Sequence, residues 1–356
     1  MKPFKATIFA LCLALALLGG CNSNQGVQNN QRETPPTSPS PSPQLTNITV
    51  AHWGQEKILI YLPLYVAMDG GFFKQQGLNV TLKYSGNDDQ VFATVISGQA
   101  QFGVGDPTFT AISREKGGTG KVVATLVGAV ANWGVTNKQS ISEINDPHQL
   151  DGLRVTSFPS PSTTFTILSE IKKTLNLQRM NIKQLAFGTE FGALERGDAD
   201  LAIMLEPQAS VAESKGYRVV WSVAKYYGPF ALTGVTTTDE MIKNNPDQVQ
   251  RMVNGIQAAL DYIRSNPDRT LEIAAQNFPT LDRTVVKNAI ARMTQDASIP
   301  ADARITTEAW KKTLTVRNKM GDLQSVEKGM EAVDNTFAEK ALTPEEKKRA
   351  QAAAHP

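Results

Sequence analysis

From residue 47 onward the apolar positions mark out short strands alternating with helices. Residues 48–53, 78–84, 101–105 and 122–130 are apolar runs of strand length. Helical patterns separate them over 62–76 (broken at Gly70-Gly71), 89–97 and 107–116. A second set repeats the scheme: strands over 153–158, 182–187 and 201–205, with helices from about Pro161 to Leu175 and over 191–196. Alternation at this spacing predicts βαβ units with right-handed crossovers and a mostly parallel sheet. After Gly228-Pro229 the pattern becomes mostly helical. Asn245-Pro246 and Asn266-Pro267 each supply a first-turn proline, and Val249, Met252, Val253, Ile256, Leu260 and Ile263 recur on one helix face. Stripes at Val285, Val286, Ala289, Ile290 and Met293, and at Val326, Met330, Val333 and Phe337, are core faces of further helices.

The two sets contain an echo. GQAQFGVGDPTFTAISREKG, from Gly98, aligns with GDADLAIMLEPQASVAESKG, from Gly197. Each copy starts Gly-x-Ala, runs through an apolar strand, reaches an acid followed by proline, and closes with Lys-Gly. Two copies of one strand–turn–helix unit, about a hundred residues apart, predict two lobes of like construction. In the second set, DGLRVTSFPSPSTTFTILSEIKKTLNL, from Asp151, reads as turn, strand, Ser/Pro loop and helix. Ser160 stands where an N-cap belongs and Pro161 fits the first helical position. Ser162, Thr163 and Thr164 then crowd hydroxyls and free N–H groups onto a helix mouth that offers donors to a ligand.

The chain ends change the picture. Lys2 and Lys5 precede an apolar run, residues 8–18, too short to span a bilayer, and Leu18-Gly19-Gly20-Cys21 follows. This is similar to a bacterial lipobox, with cleavage before Cys21 and lipidation of its sulfur. Residues 1–20 are thus expected to be a signal peptide, and the Asn-, Gln-, Ser- and Pro-rich stretch 21–45 a flexible tether. Residues 343–356 read as a charged tail. Cys12 leaves with the signal and Cys21 carries lipid, so no disulfide, thiol nucleophile or cysteine metal site is expected. His52, His148 and His355 are too scattered for a histidine cluster, and neither a metal nor a cofactor is expected. The formal charge of +2 vanishes with Lys2 and Lys5, which argues against a nucleic-acid partner.

The motifs together resemble a known family. PLYVAMDGGFFKQQGLNV from Pro63, SGQAQFGVGDP from Ser97, RGDADLAIMLEPQAS from Arg196, and the helical run from Thr237 to Pro279 carry the likeness. They are similar to the substrate-binding lipoproteins of ABC importers that carry nitrate, alkanesulfonates, taurine and thiamine-pyrimidine precursors. The resemblance covers residues 48–278. It implies an α/β, two-lobed, type II periplasmic-binding-protein fold, each lobe a mostly parallel sheet flanked by helices. Two crossovers are expected near 130–135 and 221–229, with a ligand cleft at the seam. Lobe one then comprises 46–130 and the C-terminal helices of 230–342, and lobe two, with the crossovers, comprises 131–229. The expected partners are a small-molecule ligand, an ABC permease with its ATPase, and the membrane through the lipid on Cys21. The protein is expected to be a monomer, exported, and to face the periplasm or cell exterior.

Candidate ligand residues follow from their places at strand ends and corners. Asp106 and Glu206 precede the corner prolines, where an acid also caps a helix, and Thr108 lies just beyond the first. A carboxylate at Asp106 favours an amine or ring N–H and repels an anion. Trp53, Tyr61, Trp133, Phe158 and Tyr227 offer aromatic faces, and Glu190 follows a lobe-two strand. Ser160, Ser162 and Thr163 form the helix mouth. His52 points to the other side of its strand and reads as structural. With acids and aromatics at the corners and no Lys or Arg at the strand ends, the reading leans to a flat, nitrogen-bearing, pyrimidine-like ligand. The alternative is nitrate, bicarbonate, taurine or an alkanesulfonate. A pyrimidine-synthase-like enzyme and a tethered sensor are the competing functions; the former needs a Cys-rich motif that the body after Cys21 lacks. No catalysis is expected.

Overall fold

The computed structural model describes residues 44–344. The signal segment, Cys21, the tether up to residue 43 and the tail from residue 345 lie outside the described residues.

The first half alternates as the apolar pattern requires: β1 (Thr46–His52), α1 (Leu62–Asp69), α2 (Phe72–Gln75), β2 (Leu78–Tyr84), α3 (Asp88–Ile96), β3 (Phe102–Gly105), α4 (Thr108–Glu115) and β4 (Lys121–Ala129). The chain then builds β5 (Trp133–Thr136), β6 (Arg154–Ser157), α5 (Thr163–Thr174), β7 (Asn181–Gln184), α6 (Glu190–Glu195), β8 (Ala202–Met204), α7 (Gln208–Ser214) and β9 (Arg218–Ser222). It returns through α8 (Val223–Tyr227) into β10 (Pro229–Thr237). The helices α9 (Asp239–Asn244), α10 (Pro246–Ser265), α11 (Pro267–Asn277), α12 (Arg283–Gln295), α13 (Thr307–Met320), α14 (Val326–Met330) and α15 (Thr336–Ala341) complete it.

The strand orders explain the echo. One sheet runs β2-β1-β3-β10-β4, with β1 parallel to β2 and β3, and β10 antiparallel to both neighbours. In the other lobe β6 pairs parallel with β7, a Val155–Leu201 bridge joins β6 to the start of β8, and β5 lies antiparallel between β8 and β9. Each lobe is therefore a parallel triad followed by one antiparallel strand and an edge strand. The antiparallel strand is the one delivered by a crossover, so the sheets are mixed rather than mostly parallel. The echo glycines are its turning points. Gly98 and Gly197 have φ of 73° and 69°, and Gly117 and Gly216 have 79° and 87°, values that favour a residue without a Cβ.

Three expectations need correction. The pattern predicts mostly helix after Gly228-Pro229, yet β10 is an internal strand with every residue after Pro229 buried. A strand covered on both faces shows no polar alternation, and its threonines and Gly234 dilute the apolar run. The stripe over 326–337 is two short helices, α14 and α15, rather than one. The helix of lobe two starts at Thr163, not near Pro161. The Ser160–Pro161 peptide is cis, and Ser162 is the N-cap, its hydroxyl accepting from the Phe165 N–H.

The C-terminal helices bind the two lobes to one frame. Asp296, at the end of α12, accepts from Trp133 Nε1 and Ser222 Oγ, both at 2.7 Å. Those residues begin β5 and end β9, so one carboxylate holds both crossovers.

Candidate functional site

A cavity of about 40 Å³ lies at the seam. Its lobe-one wall is Trp53, Ile58, Ile60, Tyr61, Asp88, Leu232 and Thr233; Phe158, Ser162, Thr163, Thr164 and Leu205 face it from lobe two, with Asn132 from the first crossover. None of these residues is Lys or Arg.

Local sequence sets each wall. His52 is fully buried at the end of β1, and burial pushes its imidazole down to about 4. It is therefore neutral at physiological pH. Its Nδ1 lies 2.5 Å from the Trp53 carbonyl and its Nε2 2.9 Å from the Tyr65 hydroxyl, which accepts from the Ile58 N–H at 3.0 Å. This chain orients Trp53 and Ile58 at the cavity. Trp53, Phe158 and Phe187 form a cluster of three rings with centroids 5.3 to 6.3 Å apart. Such edge and tilted packing fixes an apolar wall.

At the lobe-two end, α5 aims its first turn at the cavity. The leading N–H groups of a helix have no intrahelical acceptor, and the aligned peptide dipoles leave partial positive charge there. Asn132 donates to Thr164 Oγ1 at 2.7 Å, which leaves the threonine hydroxyl proton free for another acceptor. This end of the site is a cluster of neutral donors.

The lobe-one side is acidic. Asp88 opens α3 and is buried; its Oδ1 accepts from the Asp106 N–H at 2.9 Å. Burial, and then the neighbouring charge of Asp106, hold the Asp88 carboxyl well above the usual carboxylate range. Burial, with the carboxyls of Asp88 and Asp106 nearby, also raises the Tyr61 phenol, so its hydroxyl remains a donor.

Asp106 sits behind this wall rather than on it. Oδ1 accepts from the Thr108 N–H at 2.8 Å and from its hydroxyl at 2.6 Å. Oδ2 accepts from the Thr163 hydroxyl and, at 2.7 Å, from Arg317 Nη2. Both side chains of this ion pair are almost wholly buried. Arg317, on α13, also donates to Thr166 Oγ1 at 2.7 Å and to Asp322 Oδ2 at 3.0 Å, and its Nη atoms lie 3.3 and 3.4 Å from the Pro161 carbonyl. Lys319 on the same helix pairs with Glu170 of α5 at 2.7 Å. The donor mouth of α5 is thus held against lobe one by the flank of α13.

Of the sequence-derived candidates, Trp53, Tyr61, Phe158, Ser162 and Thr163 meet at the cavity. Asp106 and Thr108 lie immediately behind it, engaged with Arg317. The structure places the others elsewhere. Trp133 is buried against Asp296 at the crossover. Ser160 is exposed, its N–H bonded to Gln184 Oε1 at 2.7 Å. Tyr227 donates to Glu170 Oε2 at 2.6 Å, and burial followed by that carboxylate raises its phenol. Glu206 is fully buried, accepting from Ser210 and, at 2.7 Å, from Arg292 Nε of α12. Glu190 lines a different cavity.

Sequence reasoning missed Asp88, Asn132 and Arg317. Asp88 opens α3 and Asn132 lies between β4 and β5, places that carry no local signal of ligand contact. Arg317 lies on α13, which was not recognised, although Thr306 caps it and Ala309, Trp310, Thr313, Leu314 and Arg317 form its buried face. The arginine puts a charge on an otherwise uncharged buried face, and that interruption is the signal. Among the described residues no group of three or more His, Cys, Asp or Glu side chains is arranged to hold a metal.

Residues 60–270 match the family model described as NMT1/THI5 like. A putative binding protein of Bacillus subtilis strain 168, YtlA, is 23% identical over 308 residues, spanning 84% of this chain and 91% of that protein. Among solved structures, the alkanesulfonate-binding protein SsuA of Xanthomonas axonopodis pv. citri bound to MOPS is similar, with a TM-score of 0.64 at 14% identity, covering 82% of this chain and 98% of that one. The nitrate-binding protein NrtA of Synechocystis PCC 6803 gives 0.66 at 10% identity, over 84% and 89%. A ligand-binding component of an ABC-type import system from Staphylococcus aureus, with zinc bound, gives 0.66 at 14% identity, over 83% and 99%. At these identities the solved structures establish the two-lobed, type II periplasmic-binding-protein architecture.

Proposed function

We propose, from the premise that this chain belongs to the NMT1/THI5-like family, that it is the extracytoplasmic solute-binding component of an ABC importer. It captures a small molecule at the seam cavity and hands it to a permease and its ATPase, without turnover. One observation carries the choice of ligand: the donor mouth of α5 and the Asp88 carboxyl face one cavity from opposite lobes. A solute with an oxyanion at one end and an amine or N–H at the other satisfies both. The oxyanion takes the free donors of α5, and the N–H takes the Asp88 carboxylate, in a place where unpaired charge is costly. Ligand binding to both lobes favours the closed form over the open one.

This moves the ligand from a flat pyrimidine towards the sulfonate and taurine class. The alkanesulfonate- and nitrate-binding proteins of like fold support the anionic end, and Asp88 supports an added amine; taurine has both. A second reading, an aminopyrimidine, rests on the ring wall of Trp53 and Phe158. We further propose that Cys21 carries the lipid anchor and that residues 1–20 are removed.

Thermal shift and calorimetry across taurine, ethanesulfonate, nitrate, bicarbonate and an aminopyrimidine test this. Taurine is expected to raise the melting temperature most, because a ligand that binds only the folded state stabilises it by mass action. A response confined to the aminopyrimidine favours the second reading. No response to any of them removes the proposal. Cys21→Ser is expected to release the protein from membranes.

A further inference from the structure

The seam holds a second cavity that shares no lining residue with the first. The Leu59 N–H donates to the Glu206 carbonyl at 3.1 Å, joining the turn after β1 to the corner after β8. The second cavity, of about 330 Å³, is lined by Lys57 and Pro207, close in sequence to the two ends of this bond. Lobe one contributes Glu56, Lys57 and Phe278 to it; lobe two contributes Glu190, Phe191, Gln208 and Lys215. Neither the ligand reading above nor the frame of the fold uses it.

Its polar groups are left in an unbalanced state. Glu190 is 2% exposed, and its carboxyl oxygens accept from the Gly188 N–H at 3.2 and 3.0 Å, with no Lys or Arg paired to it. Gln208 Oε1 is buried without a hydrogen-bond donor. Two acceptors thus border one space, neither of them paired with a lysine or arginine. The cations are there, but held by neutral partners: Lys57 donates to Asn277 Oδ1, and Lys215 Nζ stands 4.4 Å from the Phe191 ring centroid. Phe191, Phe278, Met204 and Leu281 make the rest of the lining apolar.

We propose that this second cavity binds an amino-acid-type zwitterion with an apolar side chain, independently of the first site. Its ammonium group takes the Glu190 carboxylate and Gln208 Oε1, its carboxylate takes Lys57 and Lys215, and its side chain lies between the phenylalanines.

The charge state of Glu190 gives a pH signature. Burial raises its carboxyl to about 7, against the N–H groups of Glu190 itself and Gly188. The other charged groups that line the cavity are Glu56 and Lys57 from the turn after β1, and Lys215 from the end of α7. An ammonium ligand needs the carboxylate, so affinity falls as pH drops through 7, by about tenfold from pH 8 to pH 6.

Calorimetry of the purified protein with leucine, leucinamide and N-acetylleucine tests the proposal. Leucine is expected to bind. N-acetylleucine, without its ammonium, is expected to show no binding, and leucinamide to bind more weakly than leucine. Glu190→Gln, which keeps shape and removes charge, is expected to weaken leucine by about thirtyfold, the worth of one charge-assisted hydrogen bond. Ser162→Ala with Thr163→Ala, in the first cavity, is expected to leave leucine binding in place. Absence of leucine binding to the unaltered protein overturns the proposal, as do equal affinities for leucine and N-acetylleucine. Loss of leucine binding in the Ser162/Thr163 variant with full retention in Glu190→Gln assigns leucine to the first cavity and overturns it as well.

Discussion

The corners at Asp106-Pro107 and Glu206-Pro207 are two copies of one device put to different uses. In each, a buried acid follows a short strand, precedes a helix and is compensated by an arginine from the C-terminal helices: Arg317 of α13 for Asp106, Arg292 of α12 for Glu206. The first corner lies directly behind the seam cavity, and its carboxylate also takes the Thr163 hydroxyl from the other lobe. The second keeps its carboxylate within its own lobe and the C-terminal helices: it takes Ser210 and an arginine that is 17% exposed and shared with Glu213 of α7. Repetition in the sequence therefore marks the backbone corner and its charge balance. Ligand contact depends on what lies across the seam, which the repeat does not encode.

Substitutions rank the two corners. Arg317→Met leaves Asp106 buried and uncompensated, and is expected to cost about 3–5 kcal/mol, read from denaturant unfolding. It also frees α5 from α13, so ligand affinity falls with stability. Arg292→Met should cost less, about 1–3 kcal/mol, because water reaches that guanidinium, and should leave ligand affinity unchanged. Equal costs, or an affinity loss at Arg292, would make the corners equivalent and break the comparison. Ser162→Ala removes the cap of α5 and is expected to cost about 1 kcal/mol while weakening the ligand through the disturbed mouth.

Asp88→Asn makes the smallest change at acid pH. The folded-state pKa of Asp88 is raised, so its contribution to stability is present in full below the ordinary carboxylate range. It is lost as pH rises towards neutrality. The asparagine variant is expected to melt at a higher temperature than the parent at pH 8 and near the parent value at pH 4. A difference of the same size at both pH values would show that Asp88 does not titrate in this window.

Much of the fold was legible because strand length, helix period and turn glycines are local signals. The first four strands and the break at Gly70-Gly71 lie where the apolar pattern put them. β10 was not legible because its burial comes from two flanking strands distant in sequence. The site divides along the same line. Trp53, Ser162 and Thr163 stand at the ends of local elements, and the chain itself announces them. Asp88 becomes a cavity residue only when the Asp106 N–H reaches it, and Arg317 acts on α5 from more than 140 residues away. Trp133 and Tyr227 carried aromatic signals equal to that of Trp53, but tertiary packing turned them to Asp296 and Glu170.

The central claim is that one solute is held between Asp88 of one lobe and the α5 mouth of the other. Calorimetry with taurine and ethanesulfonate on the parent protein and on Asp88→Asn tests it most directly. The account predicts that the substitution weakens taurine by about tenfold or more while ethanesulfonate, which has no amine, is nearly unaffected. Equal affinities of taurine for both proteins, or no binding of either solute to the parent, would contradict it.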